Sequence, residues 1–193
     1  MDINPSTFHL INVVDTCSVW NILSSPMLNA TAKGAQCDFC MTNFVYYECL
    51  FKPRTSNSPN EQTLMDRLRA EQRRSAFQVH SCSIDDLQTI AILEKRKKLG
   101  KGELSSIAFA MKIRHGFITD DKKAWQLAKD LIHSYAQTTP HLFSWLIFTG
   151  KLSDGDKDTI ITQHRKAGRH IAKDLQTAYE IALQCRLNAS AKT

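Results

Sequence analysis

Phe8-His9-Leu10-Ile11-Asn12-Val13-Val14-Asp15 is a short apolar run, rich in β-branched residues, that ends in an acid. Such a run reads as a buried strand with a polar group at its carboxyl end, where ligands bind in open α/β sheets. Working outward, Val19, Trp20 and Leu23 recur at helical spacing over Thr16 to Ser25, with Pro26 closing the segment. Phe44 to Phe51 predicts a second helix, ended by Pro53. Residues 52–60, including Lys52 and Arg54, read as a loop, and Glu61 to Arg74 carries strong helix formers throughout. Phe77 to Cys82 alternates as a second strand, and Ser83 stands as an N-cap three residues before an acid, opening a helix to Lys97. After Leu99-Gly100-Lys101-Gly102, Glu103 opens a helix with Leu104, Ile107, Ala108 and Met111 on one face, ending at His115-Gly116. Gly116 to Asp121 predicts a third strand ending in acids, and Lys122 to His133 a helix. This alternation argues for a parallel sheet flanked by helices. Beyond Pro140 the pattern is entirely helical, over Leu142 to Thr149, Ser153 to Lys166 and Ile171 to Leu187.

The chain has 193 residues, enough for one domain or a domain with a helical appendage. Apolar residues at 42%, charged residues at 23%, 7 Gly and 5 Pro argue against disordered, collagenous and low-complexity classes. Net charge is +6, unevenly spread: −3 over residues 1–50, +6 over 51–116 and +3 over the rest. A polyanionic partner fits that balance, as does ordinary solubility. The N-terminus lacks a basic region followed by an apolar stretch, and Phe143 to Phe148 is too short to span a bilayer, so no export or membrane insertion is expected. Six cysteines without a signal are expected to be reduced thiols, which places the protein in the cytoplasm. Cys37 and Cys40 form a single CxxC, and a structural zinc would need two further ligands; buried thiols are the simpler reading. His164 and His170 lack metal-ligand spacing, and Trp20, Trp125 and Trp145 read as core.

Acids stand at four element boundaries or apolar segments: Asp15, Glu48 within Val45-Tyr46-Tyr47-Glu48-Cys49-Leu50, Glu103, and Asp120-Asp121. If four carboxylates converged within roughly 6 Å, each pair would repel by about 3 kcal/mol at an effective dielectric near 20. Such a cluster is tolerable only with shared protons or bound hard cations, and oxygen-only ligands fit Mg²⁺ or Mn²⁺. The alternative for Glu103 and for one of Asp120 and Asp121 is structural, since acids at helix starts cap free amides and favour the macrodipole. Adjacent residues point different ways, so one of Asp120 and Asp121 is expected to face the site while the other caps the helix from Lys122.

In order, Ile11-Asn12-Val13-Val14-Asp15-Thr16-Cys17-Ser18-Val19, Val45-Tyr46-Tyr47-Glu48, Gly102-Glu103-Leu104-Ser105-Ser106-Ile107-Ala108 and Phe117-Ile118-Thr119-Asp120-Asp121-Lys122-Lys123-Ala124 resemble the PIN-domain ribonuclease family, which includes VapC-like toxin nucleases. The blocks lie within residues 11–124, nearly two thirds of the chain. The resemblance implies a three-layer α/β/α PIN-like fold around a central parallel sheet: a nuclease domain over residues 1–150, with a helical extension over 151–193 packed on it. It also implies Mg²⁺- or Mn²⁺-dependent endoribonuclease activity. Asp15, Glu48, Glu103 and Asp121 would be catalytic metal ligands, Asp120 a further ligand close by, and Ser18 and Thr119 the hydroxyls bonded around the first acid. Glu103 departs from the Asp found at that position in many members. A homodimer and a protein antitoxin or inhibitor are implied partners.

Arg67, Arg69, Arg73 and Arg74 on one helix, and Lys97, Lys98 and Lys101 before Glu103, could contact RNA phosphates on either side of the acids, or form solvated charged surfaces. Two competing readings stand beside the nuclease. A phosphohydrolase with Asp15 as nucleophile would want an acid two residues on, where Cys17 stands. A PIN-like module that binds RNA or assembles without catalysis would keep the fold and lose the chemistry.

Overall fold

The computed structural model describes residues 3–53 and 58–190, so Arg54 and the middle of the expected 52–60 loop lie outside the described residues. The chain divides into two compact units. One comprises His9–Trp20 and Asp38–Thr138; the other comprises Met1–Phe8, Asn21–Cys37 and Thr139–Thr193.

The first unit is α/β, built on a five-stranded, all-parallel sheet of order β3-β2-β1-β4-β5. The strands are β1 (Ile11–Val14), β2 (Asp38–Thr42), β3 (Gln78–His80), β4 (Gly116–Ile118) and β5 (Ala136–Gln137). Central β1 sets Val13 against Cys40 of β2 and Phe117 of β4. Flanking helices are α3 (Asn43–Leu50), α4 (Pro59–Gln72), α5 (Ile84–Arg96), α6 (Lys101–Ile113) and α7 (Lys122–Ile132). α6 packs across β1, β2 and β4, with α3, α5 and α7 against it. Its Leu104, Ile107 and Ala108 join Val13, Phe117, Ile90, Leu93 and Leu127 in one buried cluster. Ser83 and Asp86 form the capping box that opens α5, bearing out the expected start.

The sequence reading missed two strands. β2 alternates poorly, opens on an exposed Asp38 and holds Cys40 and Met41, residues with little strand signature. β5 is two residues long, below what a pattern can register. A polar staple links β1 to β5 across β4: the Gln137 side-chain amide donates to Asn12 Oδ1 at 2.5 Å, Asn12 Nδ2 to the His9 carbonyl at 2.6 Å, and the His9 backbone amide to Gln137 Oε1 at 2.7 Å. Gly116 is required beside it, because a Cβ there would meet the Asn12 side-chain oxygen and lie 2.8 Å from Gln137 Nε2.

The second unit is helical. α1 (Thr16–Ser24) begins in the sheet unit and its last turn belongs here, followed by α2 (Pro26–Gly34), α8 (Thr139–Phe148), α9 (Asp154–Lys166) and α10 (Ala172–Ser190). Pro26 ends α1 and also opens α2, because its missing amide is free at a helix start; Ser25 caps that helix through the Leu28 amide. α8 and α10 pack closely, burying Leu142, Phe143, Leu146, Leu175, Ala178 and Ala182. His164 is fully buried, with ring nitrogens 2.9 Å from the Ile160 carbonyl and 2.8 Å from the Asn21 carbonyl, a core histidine tying α9 to the end of α1. Among the described residues no helix is long and apolar enough to cross a membrane.

Candidate functional site

After β1 the chain moves to one side for β2 and β3, then crosses to the other for β4, so the strand order reverses between β1 and β4. The crevice at the carboxyl ends of such neighbouring strands is where an open α/β sheet admits a ligand. Asp15 follows β1 there, and Thr119-Asp120-Asp121 follow β4.

Asp15 is buried, with its amide on the Ile118 carbonyl. Its Oδ2 accepts from the Thr119 hydroxyl at 2.5 Å and its Oδ1 from the Ser18 amide at 2.9 Å, closing the first turn of α1. The Cys17 thiol lies 3.1 and 3.2 Å from its two oxygens. Thr119 therefore bonds the first acid through its hydroxyl, whereas Ser18 does so through its backbone, its Oγ lying 3.9 Å from Cys17 Sγ. Burial raises the Asp15 pKa to about 6, against the hydrogen bonds that lower it, and the charge of Asp120 adds to the rise. Burial and the same acids push the Cys17 thiol up.

Glu48, half-buried on α3, accepts from the Thr16 hydroxyl and from the Gly102 amide at 3.3 Å in the first turn of α6. Gly102 is what lets the carboxylate sit against that helix, since a Cβ there would lie 2.9 Å from Glu48 Cδ. Glu103, one residue on, reaches back to the Gly100 amide. Its pKa is raised, first by burial and then by the charges of Glu48 and Asp121, so Glu103 lies within the fields of both. Asp121 caps α7, its Oδ1 accepting from the Lys123 and Ala124 amides at 2.8 Å each. Of the adjacent acids, then, Asp121 is the cap and also acts on Glu103, while Asp120 acts on Asp15 and Cys17.

Asp15, Glu48, Glu103 and Asp121 are thus each turned toward hydrogen-bond donors of their own. Among the described residues no three acidic, imidazole or thiol groups are gathered as a ligand set for a metal ion. The six cysteines are free thiols.

The basic residues separate by position. Lys101 opens α6 two residues before Glu103 and pairs with Glu94 at 2.8 Å; Lys97, which caps the end of α5, and Lys98 lie in the short link before it. Arg73 and Arg74 close α4 and lead into the amino end of β3, so they stand at the edge of the sheet away from the acids. Arg69 pairs with Asp66 at 2.9 Å and Arg74 with Glu71 at 3.4 Å, and Arg67 is half-buried on the same helix.

Two features escaped the sequence reading. Thr16 orients Glu48, a role no motif announces. Tyr47 on α3 and Phe51, which caps its end, are 49% and 59% exposed in the same segment as Glu48. Compared with models of known protein families and with curated proteins, the chain matches none.

Proposed function

We propose that the chain is a Mg²⁺- or Mn²⁺-dependent endoribonuclease with a three-layer α/β/α PIN-like fold. One observation carries this reading: acids flank the strand-order reversal on both sides, and their charges act on one another, Asp120 on Asp15 and both Glu48 and Asp121 on Glu103. Acids whose charges perturb one another beside a crevice mark a site more often than a scaffold. The donor chemistry suits a hard cation, being oxygen throughout. Asp15, Glu48, Glu103, Asp120 and Asp121 are the residues that would hold it.

A bound divalent ion supplies an activated water and neutralises charge developing on the phosphate. The chain's own residues do the positioning. Thr119 and the Ser18 amide fix Asp15, Thr16 and the Gly102 amide fix Glu48, and the Lys123 and Ala124 amides hold Asp121 by one oxygen. Lys97, Lys98 and Lys101, close before Glu103 in sequence, would meet RNA phosphates there, Lys101 by exchanging its Glu94 partner. The proposal extends to a cytoplasmic, homodimeric toxin restrained by a protein antitoxin, which a gene for a small DNA-binding protein next to this one would support.

A second reading, a PIN-like RNA-binding or assembly module without catalysis, draws on the ungathered acids. Purified protein incubated with labelled RNA and Mn²⁺ decides between them. Cleavage that stops with EDTA and is lost in Asp120→Asn and Glu48→Gln supports the nuclease; RNA binding without metal-dependent cleavage supports the module.

A further inference from the structure

The amino edge of the same sheet holds a cavity of about 340 Å³. It lies where α6 and α7 end and β4 and β5 begin, so the length of β4 separates it from the acids. Ala110, Met111, Leu131 and Ile132 give it an apolar lining. Arg114, His115, His133, Ser134 and Tyr135 supply the polar groups, and none of the lining residues is acidic. Its size falls within the range of small-molecule sites, which combine an apolar body with a few polar groups.

Two further observations separate it from an ordinary surface dent. Arg114 forms no ion pair among the described residues, which leaves a guanidinium fork at the cavity without a carboxylate. Arg114 at φ 54° and His133 at φ 46° also adopt backbone conformations that L-residues seldom accept. With ψ at −109°, His133 lies outside even the left-handed helical region. Arg114 is the left-handed residue that ends α6, whereas the His133 conformation belongs to the strained backbone that occurs at ligand clamps. Cations following helix C-termini favour the macrodipole. That and helix termination account for Arg114, but not for the His133 conformation or for the apolar hollow between the two residues.

We infer that this cavity is a binding site for a small amphipathic anion, a short apolar chain or single ring carrying one carboxylate or phosphate. The apolar body packs on Met111, Leu131 and Ile132, and the anionic head meets the Arg114 guanidinium. The site is independent of the acidic crevice and of its proposed activity.

Hexanoate and its neutral counterpart 1-hexanol are the probes, titrated into full-length protein carrying ¹³C-methyl methionine. Met111 reports on the cavity among the 5 methionines, its signal identified by loss in Met111→Leu. The expected result is a saturable shift of the Met111 signal with hexanoate, about tenfold weaker binding of hexanol, and a similar loss of hexanoate affinity in Arg114→Asn. Asn tolerates the left-handed backbone, so that variant removes the charge without adding strain. Leu131→Trp should fill the cavity and abolish the shift. Equal affinity for the two probes, unchanged hexanoate binding in Arg114→Asn, or a Met111 signal that stays in place overturns the proposal. Should Arg114→Asn fail to fold, the ratio of the two probes in the wild type decides.

Discussion

Replacing Asp15 with Asn tests the electrostatics of the crevice without requiring any activity. The Asp15 carboxyl is fully buried, and burial lifts its pKa from 3.8 to about 6. A carboxyl whose folded pKa lies above its unfolded one binds its proton more tightly when folded. Its stabilisation is present in full below the unfolded value and is lost as pH rises through about 6. The whole effect is about 3 kcal/mol, of which about 2 kcal/mol falls between about pH 4.5 and about pH 7.5. Urea unfolding of wild type and Asp15→Asn at those two pH values, in EDTA, gives the difference between the proteins, and other titrating groups cancel from it. Wild type should gain about 2 kcal/mol on the variant at the acidic end. At the alkaline end the variant should be no less stable, because the amide carries no buried charge even though Thr119 must exchange donating for accepting. A difference that stays constant across the range refutes the reasoning, since Asp15 would then titrate alike in folded and unfolded chains. Repeating the series with Mn²⁺ adds a functional arm: a cation on Asp15 keeps it ionised and should flatten the wild-type curve.

Further substitutions follow from the same geometry. Gly116→Ala puts a Cβ against Asn12 and Gln137 and should lower unfolding stability by about 1–3 kcal/mol; an unchanged urea midpoint would count against the staple. Asp121→Ala removes the α7 cap and should cost about 1 kcal/mol, whereas Asp121→Asn should keep the cap. In both variants the Glu103 carboxyl, followed by ¹³C NMR, should titrate at lower pH because a repelling charge is gone. Gly102→Ala exchanges about 1 kcal/mol of helix propensity for a clash with Glu48, so it should abolish cleavage while leaving the melting temperature nearly unchanged. Lys98→Ala should reduce the salt dependence of RNA binding by about one in the log–log slope, and Arg73→Ala should leave it unaltered at the far edge of the sheet.

What the sequence revealed depended on how local each signal was. Ser83 with Asp86 and the Leu104-Ile107-Ala108 face are read within one helix, and both elements formed as expected. β1 was legible because Ile11, Val13 and Val14 precede an acid, whereas β2 is held in the sheet by pairing with β1 and β3 rather than by its own composition. The position of the basic residues depends on non-local structure in the same way. Arg67 to Arg74 cluster in sequence as Lys97 to Lys101 do, but only the chain direction from α4 into β3 assigns Arg73 and Arg74 to the amino edge. Thr16 and Gly102 were invisible as orienting groups because their partner, Glu48, lies 32 and 54 residues away.

The structural and chemical readings of these acids are compatible, because a carboxylate has two oxygens. Asp121 accepts both helix amides on Oδ1. Its cap can therefore persist while Oδ2 serves another purpose. Asp15 uses Oδ1 for the Ser18 amide and Oδ2 for Thr119, so a cation reaching Asp15 must share an oxygen with a neutral donor or displace the Thr119 hydroxyl. Glu48 is divided in the same way between Thr16 and Gly102. Orientation of each acid by its own donor costs little when a cation arrives, because an accepting oxygen retains a second lone pair. Alanine substitutions at these positions remove cap and charge together and report their sum. Asp→Asn and Glu→Gln keep most of the hydrogen bonding and isolate the charge, so any loss of cleavage larger than the loss of stability is assigned to chemistry.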